Sequence, residues 1–147
     1  MKIATLTVLF CRHPLEKVFQ IASAQGYDGI ELWGARPHAY PYDMDQERIT
    51  DVLRMKDQYK LEIPMYTPEL LAYPYNIASQ DPIERQDTIA YLKRAIEVAK
   101  AIESPRMQVT CGHAGYGTER RKNLENVRNV LREIVDYAEQ IGIDIII

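Results

Sequence analysis

Cysteine is scarce in this 147-residue chain: only Cys11 and Cys111 occur. Two thiols are too few for a disulfide framework, and both are expected to stay reduced. Long apolar runs are missing too. None reaches the roughly 18 residues that a membrane-spanning helix requires. Strong charge of either sign is also lacking, since the formal net charge is −3. That mild acidity argues against a nucleic-acid polyanion as ligand. The opening residues lack a processing site. Met1, Lys2 and the mostly apolar run 3–10 imitate a short signal peptide, but Cys11, Arg12, His13 and Pro14 follow where small residues are needed. The run reads instead as a buried strand. The protein is expected to be cytoplasmic, with neither nucleic acid nor membrane as partner.

What is present is an alternation of short apolar runs with longer amphipathic stretches. The composition, 46% apolar and 27% charged, is that of a globular chain and excludes disorder. The first strand is expected over residues 3–9. A helix follows with Pro14 at its start, Leu15, Val18, Phe19 and Ala22 on one face, and Gly26 as its stop. Residues 29–32 form the second strand. A long loop, 33–44, leads to a helix capped by Asp45 with Ile49, Val52, Leu53 and Tyr59 facing inward. The third strand is 62–65, and 66–80 is a loop rich in proline and tyrosine. Asp81, Pro82 and Glu84 then open a helix with a cap, a first-turn proline and a carboxylate three residues on. Its stripe is Ile89, Leu92, Ile96, Ala99 and Ile102. The fourth strand is 107–110. Helix four runs over about 119–140 with Leu124, Val127, Leu131, Ile134, Ala138 and Ile141 as its buried stripe, and Gly142 ends it. Residues 143–147 make the last strand.

The order is β-α-β-α-β-α-β-α-β, which means parallel strands joined by crossover helices. Two α/β architectures fit: an open doubly wound sheet and a closed barrel. An open nucleotide-binding sheet places a glycine-rich phosphate loop after its first strand. Here that turn reads Phe10-Cys11-Arg12-His13-Pro14, without glycine. The polar and aromatic loops after strands two, three and four match instead the active-site rim of a barrel. The reading is therefore the N-terminal half of a parallel (β/α)8 TIM barrel, residues 1–147 forming one partial domain with strands 1 to 5 and helices 1 to 4. A complete barrel needs about 250 residues. A half barrel exposes two strand edges and its inner sheet face. Self-association through those edges, or marginal stability, is expected.

The residues able to carry chemistry cluster at strand C-termini. They are Glu31, Trp33, Arg36 and His38 after strand two, Tyr66, Glu69, Tyr75 and Asn76 after strand three, and His113 after strand four. Aromatic faces pack on the C–H faces of sugars, while carboxylates and imidazoles bond hydroxyls, so the set suits a polyol pocket. The candidate substrate-binding residues are Glu31, Trp33, His38, Tyr66, Glu69 and His113. Each has a structural reading beside it. Glu31 can form a network inside the barrel, Trp33 can pack the rim, His38 can be a solvated surface residue, and Glu69 can cap a turn. Tyr73 and Tyr75 read as loop packing, His13 as a helix-start residue, and Cys111 as a small buried residue. Arg120, Arg121 and Lys122, at the start of helix four, read as a solvated face, or as an anion site for a substrate phosphate.

The segments Gly26-Tyr27-Asp28-Gly29-Ile30-Glu31-Leu32-Trp33-Gly34, Arg36-Pro37-His38-Ala39, Tyr66-Thr67-Pro68-Glu69, Tyr73-Pro74-Tyr75-Asn76 and His113-Ala114-Gly115-Tyr116 resemble the xylose-isomerase-like barrel superfamily of sugar isomerases and epimerases. Within it they resemble the fructoselysine 3-epimerases. The resemblance implies a ketose or an Amadori-type sugar-amine as substrate. It also implies a divalent metal (Mn, Co, Ni, Mg or Zn) held by two glutamates, an aspartate and a histidine, with the glutamates moving the proton through an enediolate. No residue of this chain maps onto that metal set. The expected glutamates lie beyond Ile147, so no catalytic or metal residue is assigned and the chain alone is expected to be inactive. Two other readings stand beside this one. Endonuclease IV-type DNA-repair enzymes share the superfamily and place a zinc-binding histidine after strand four, where His113 stands. A non-catalytic half barrel that assembles through its edges is the third.

Overall fold

The computed structural model describes residues 1–71 and 74–147; Tyr73, read above as loop packing, lies outside the described residues. The elements are β1 (Ala4–Leu6), α1 (Leu15–Ala24), β2 (Gly29–Gly34), α2 (Gln46–Tyr59), β3 (Glu62–Pro68), α3 (Pro82–Ala101), β4 (Arg106–Gln108), α4 (Arg120–Ile141) and β5 (Asp144–Ile146), with 3₁₀ turns over Thr7–Phe10 and Pro41–Asp43. All five strands pair in sequence order, and every pairing is parallel. The expected partial (β/α) barrel is what the chain forms.

Local signals explain most of the boundaries. The Asp45 carboxylate accepts from the Arg48 backbone N–H at 2.9 Å, and the Asp81 carboxylate from that of Ile83 at 2.8 Å. Each satisfies an orphan donor of a helix first turn. Gly142 closes α4 at φ +80°, a left-handed conformation that glycine adopts without steric cost.

Four strand boundaries differ from expectation. The first strand ends at Leu6, because residues 7–10 coil into a 3₁₀ turn that buries the Thr7 hydroxyl. The second strand runs on to Gly34, so Trp33 is a strand residue and not the start of the loop. The third strand runs on to Pro68, so Tyr66 and Thr67 are strand residues and not loop. The fourth stops at Gln108, which leaves Cys111 exposed in the following loop and not buried as expected. On α4 the buried line is Asn123, Val130, Ile134 and Ala138, while Leu124 is 55% exposed. On α2 Val52 and Met55 are buried, and Ile49, Leu53 and Tyr59 are half-buried.

The core lies between the sheet and the helices. Phe19, Ile30, Leu32, Tyr66, Tyr91, Leu92, Ile96, Met107 and Ile134 are all fully buried there. The opposite sheet face carries Leu6, Glu31, Met65, Trp33, Thr67 and Gln108, which are half-buried, and Ile146, which is exposed. Register aligns these side chains: Leu6 pairs with Glu31, Glu31 with Met65, Trp33 with Thr67, and Gln108 with Ile146. This open inner face, together with the free edges of β1 and β5, is a template for pairing with another chain. The purified 147-residue chain is therefore expected to sediment above its 17.0 kDa monomer mass or to melt without a cooperative transition. A monodisperse monomer with a sharp melt overturns this.

Candidate functional site

The ends of β2 and β3 bring four inner-face side chains into two bonded pairs. The Thr67 hydroxyl donates to Glu31 Oε1 at 2.6 Å. The Trp33 indole N–H donates to Glu69 Oε2 at 3.1 Å. Glu69 also accepts the Leu71 backbone N–H at 2.6 Å through its other oxygen. Glu69 thus caps a turn and holds the indole at once, and both of its oxygens are engaged within the chain. A carboxylate offers about four lone-pair positions, so Glu31, with one bond to Thr67, keeps capacity for a ligand hydroxyl.

Behind Trp33 lies a buried polar relay. The Trp33 backbone N–H donates to Thr7 Oγ1 at 2.9 Å. That same oxygen lies 3.2 Å from His38 Nδ1, and His38 Nε2 lies 3.1 Å from the His13 carbonyl. The His38 ring meets the indole edge-on, with ring centroids 6.0 Å apart at 84°. Only 3% of His38 is exposed and Thr7 is fully buried. The surface reading of His38 is therefore incorrect: the 35–39 turn folds it under Trp33. Burial lowers its pKa from the ordinary 6.5, against the opposing pull of the His13 and Phe10 carbonyls.

Tyr66 is also placed differently from the sequence reading. It is fully buried, and its hydroxyl donates to the Ala39 carbonyl at 2.6 Å. Strand side chains alternate faces. With β3 continuing to Pro68, Tyr66 turns toward the helices while Met65 and Thr67 face inward. Tyr75 packs, as its loop position suggests. It stacks on Tyr91 at 3.8 Å and 9°, and its hydroxyl bonds that of Tyr40 at 2.9 Å. Burial first, then the Tyr40 bond, drives its phenol pKa well above the ordinary range. Arg120, Arg121 and Lys122 are exposed at the start of α4.

His113 is exposed, but its backbone is held. Asn76, 6% exposed, accepts the His113 N–H at Oδ1 and donates to the His113 carbonyl through Nδ2, at 3.2 and 2.9 Å. Its Oδ1 also accepts the Ala78 N–H at 3.0 Å. One amide therefore ties the loop after β3 to the loop after β4. Thr7 and Thr67 were not among the sequence candidates, and Asn76, named among the rim residues, acts on the backbone of the next loop. Alternation along β3 was the signal for Thr67. The glycine before His113 was the signal for a close approach there, since Gly112 sits at φ +74° against Asn76 Oδ1.

Among the described residues, no group of three or more His, Cys, Asp or Glu side chains converges to hold a metal ion. These residues do not by themselves fit a metal centre. Nor is any helix among them long and apolar enough to cross a membrane.

Parallel strands joined by crossover helices, with polar and aromatic side chains gathered at the strand C-termini, define a barrel of the (β/α) class. A model described as the xylose isomerase-like TIM barrel matches residues 19–147. The chain belongs to that family. Curated relatives include the fructoselysine 3-epimerases of Shigella flexneri, 37% identical, and of Escherichia coli O157:H7, 36% identical. Both alignments cover 100% of this chain but 53% and 54% of the relatives, so the chain spans about half their length. Among solved structures, a D-tagatose 3-epimerase-like protein superposes with a TM-score of 0.82 at 23% identity, over 99% of this chain and 51% of that one. D-Psicose 3-epimerase from Clostridium cellulolyticum H10, crystallised with D-tagatose, superposes at 0.84 with 13% identity and the same coverage. Those two likenesses show the fold.

Two predictions follow from this geometry. Unfolded, the His38 imidazole takes up its proton near 6.5; folded, it does so only at lower pH. The unfolded state then binds more protons between those values, so stability is lost as pH falls below about 6.5, with a slope of at most about 1.4 kcal/mol per pH unit. Urea melts of wild type and His38→Asn across pH 7.5 to 5 check this, and equal slopes refute it. Gly112→Ala forces an L-residue into the left-handed region and a methyl against Asn76. It is expected to cost about 1–2 kcal/mol or more, read as a lower urea midpoint.

Proposed function

We propose that residues 1–147 form one partial barrel domain that supplies the substrate-facing wall of a ketose epimerase of the fructoselysine type. The proton-transferring carboxylates and the divalent metal of such an enzyme would come from outside these residues. The observation that carries the reading is the Trp33 indole pinned by Glu69 at the C-terminal ends of β2 and β3. Barrel enzymes build their sites at that end. A fixed aromatic face there can pack on sugar C–H groups, with Glu31 accepting from a hydroxyl beside it and the exposed His113 imidazole offering a further bond. The 37% identity to a fructoselysine 3-epimerase over the whole chain favours fructoselysine, a sugar-amine, as the ligand class. A soluble, cytoplasmic setting and a small-molecule partner belong to the same reading.

Glu69 acts in this scheme by orienting the indole and its own turn. His38 and Tyr66 are buried behind the wall and act by supporting it from within the fold. Purified 147-residue chain is expected to show no turnover of fructoselysine with or without added divalent metal. Metal-dependent turnover by the chain alone refutes the placement of proton transfer outside it. In a protein carrying these residues within a whole barrel, Trp33→Ala is expected to raise KM for fructoselysine roughly tenfold, about 1.4 kcal/mol, with a smaller change in kcat. An unchanged KM refutes the wall.

A further inference from the structure

Trp33 is the only tryptophan of the chain, and its backbone and its ring are held by different partners. The indole N–H is fixed by Glu69, while the backbone N–H is fixed by Thr7. Thr7 in turn faces His38. The donors and acceptors of this set close in one way only. The His13 carbonyl can only accept, so His38 Nε2 must carry the proton that reaches it. In a neutral ring Nδ1 is then an acceptor. The Thr7 hydroxyl proton goes to Nδ1, and a lone pair of the same oxygen receives the Trp33 N–H. Every polar atom of the relay thus has a partner inside the fold.

We propose that His38 is a positioning residue that sets Trp33 through the Thr7 hydroxyl and makes no sugar contact of its own. This deepens the reading of Trp33 as a sugar wall and rests on it. His38 has 3% of its surface exposed and both ring nitrogens engaged inside the fold. Its ring also packs near-perpendicular to the indole, with centroids 6.0 Å apart. The groups that face the imidazole are the Thr7 hydroxyl from the 3₁₀ turn, the Phe10 and His13 carbonyls from the segment before α1, and the Trp33 ring from β2. All are uncharged. Glu69 holds the indole at its N–H, and the His13 side chain itself is exposed. A second proton on the ring would turn Nδ1 into a donor. The Thr7 oxygen would then face two donors, and its own hydroxyl proton would lose its acceptor.

The relay predicts which substitutions are silent. In His38→Asn the side-chain oxygen takes the place of Nδ1 and still accepts from Thr7. In Thr7→Val the shape stays and the relay goes, although His38 itself is untouched. Trp33 emission and its near-UV ellipticity, recorded on the ligand-free 147-residue chain, read the indole setting directly. Thr7→Val and His38→Ala are both expected to shift the emission to longer wavelength and to lose most of the near-UV band. His38→Asn is expected to keep both signals. Acidification through the His38 titration is expected to quench the wild-type emission and to leave that of His38→Asn flat. Far-UV ellipticity confirms that each variant folds, and the isosteric Thr7→Val keeps the test open if His38→Ala does not fold.

Unchanged Trp33 signals in Thr7→Val overturn the proposal. So does a His38→Asn variant that behaves like His38→Ala. Fructoselysine titrations followed by the same emission separate this from the wider reading. If the ligand-free signals move as expected but no variant changes ligand affinity, the sugar wall fails and the relay stands. If affinity falls in His38→Ala while Thr7→Val is silent in both readouts, His38 touches the sugar and the relay fails.

Discussion

Trp33 stands opposite Thr67 in the parallel ladder between β2 and β3, and Glu31 stands opposite Met65. The site depends on that register. It lets Thr67 reach Glu31 and Glu69 reach the indole across the strand boundary. A slip of one residue would turn Glu31 and Trp33 into the helix layer and Ile30 and Leu32 into the open face. The cost would fall on both layers at once, since Ile30 and Leu32 are fully buried. Two glycines permit the close pairing. A methyl on Gly29 would lie 2.7 Å from the Glu62 carbonyl oxygen. One on Gly34 would lie 2.7 Å from both Pro68 Cα and the Tyr66 hydroxyl oxygen. β2 therefore begins and ends at points where β3 admits no side chain.

Around this pair the fold places its polar groups in depth. The inner face shows Glu31, Trp33 and Thr67, while Thr7, His38 and Asn76 are buried behind or beside them. A buried polar group without a partner is costly, and each of these three has at least two bonds. Asn76 joins two rim loops through one amide, so the backbone that carries His113 is fixed although its imidazole is exposed. The outer layer is aromatic. Tyr75 and Tyr91 stack, Tyr40 bonds Tyr75, and Tyr91 donates to the Gly34 carbonyl at 3.3 Å, which links α3 to the end of β2.

The N-terminal end of the strands is held differently, by ion pairs at the surface. Lys2 meets Glu62 at 2.9 Å, Lys56 meets Glu103, and the Ile3 backbone N–H donates to the Asp28 carboxylate at 2.7 Å. Exposed pairs of this kind contribute little each. They lie at the end of the strands opposite the rim where the uncommon side chains gather.

Element order, parallel pairing and the rim location of Glu31, Trp33, Glu69 and His113 were legible in the sequence. They follow from local periodicity and from the chemistry of caps and turns, which act over a few residues. Asp45 and Asp81 announced their helices, and the family resemblance was carried by contiguous segments such as Gly29-Ile30-Glu31-Leu32-Trp33. The tertiary structure decided which of the candidates face the open side. Tyr66 was lost to the helix layer because β3 runs further than its apolar run suggested, and in a strand one residue of phase reverses the face. His38, a candidate for substrate contact, lies in the interior because its turn packs against Thr7 and His13, 31 and 25 residues away in the chain. Thr7, Thr67 and Asn76 gained their roles in the same way. A hydroxyl or an amide acquires meaning from the partner it meets, and those partners are set by packing between elements, which no local pattern of residues encodes.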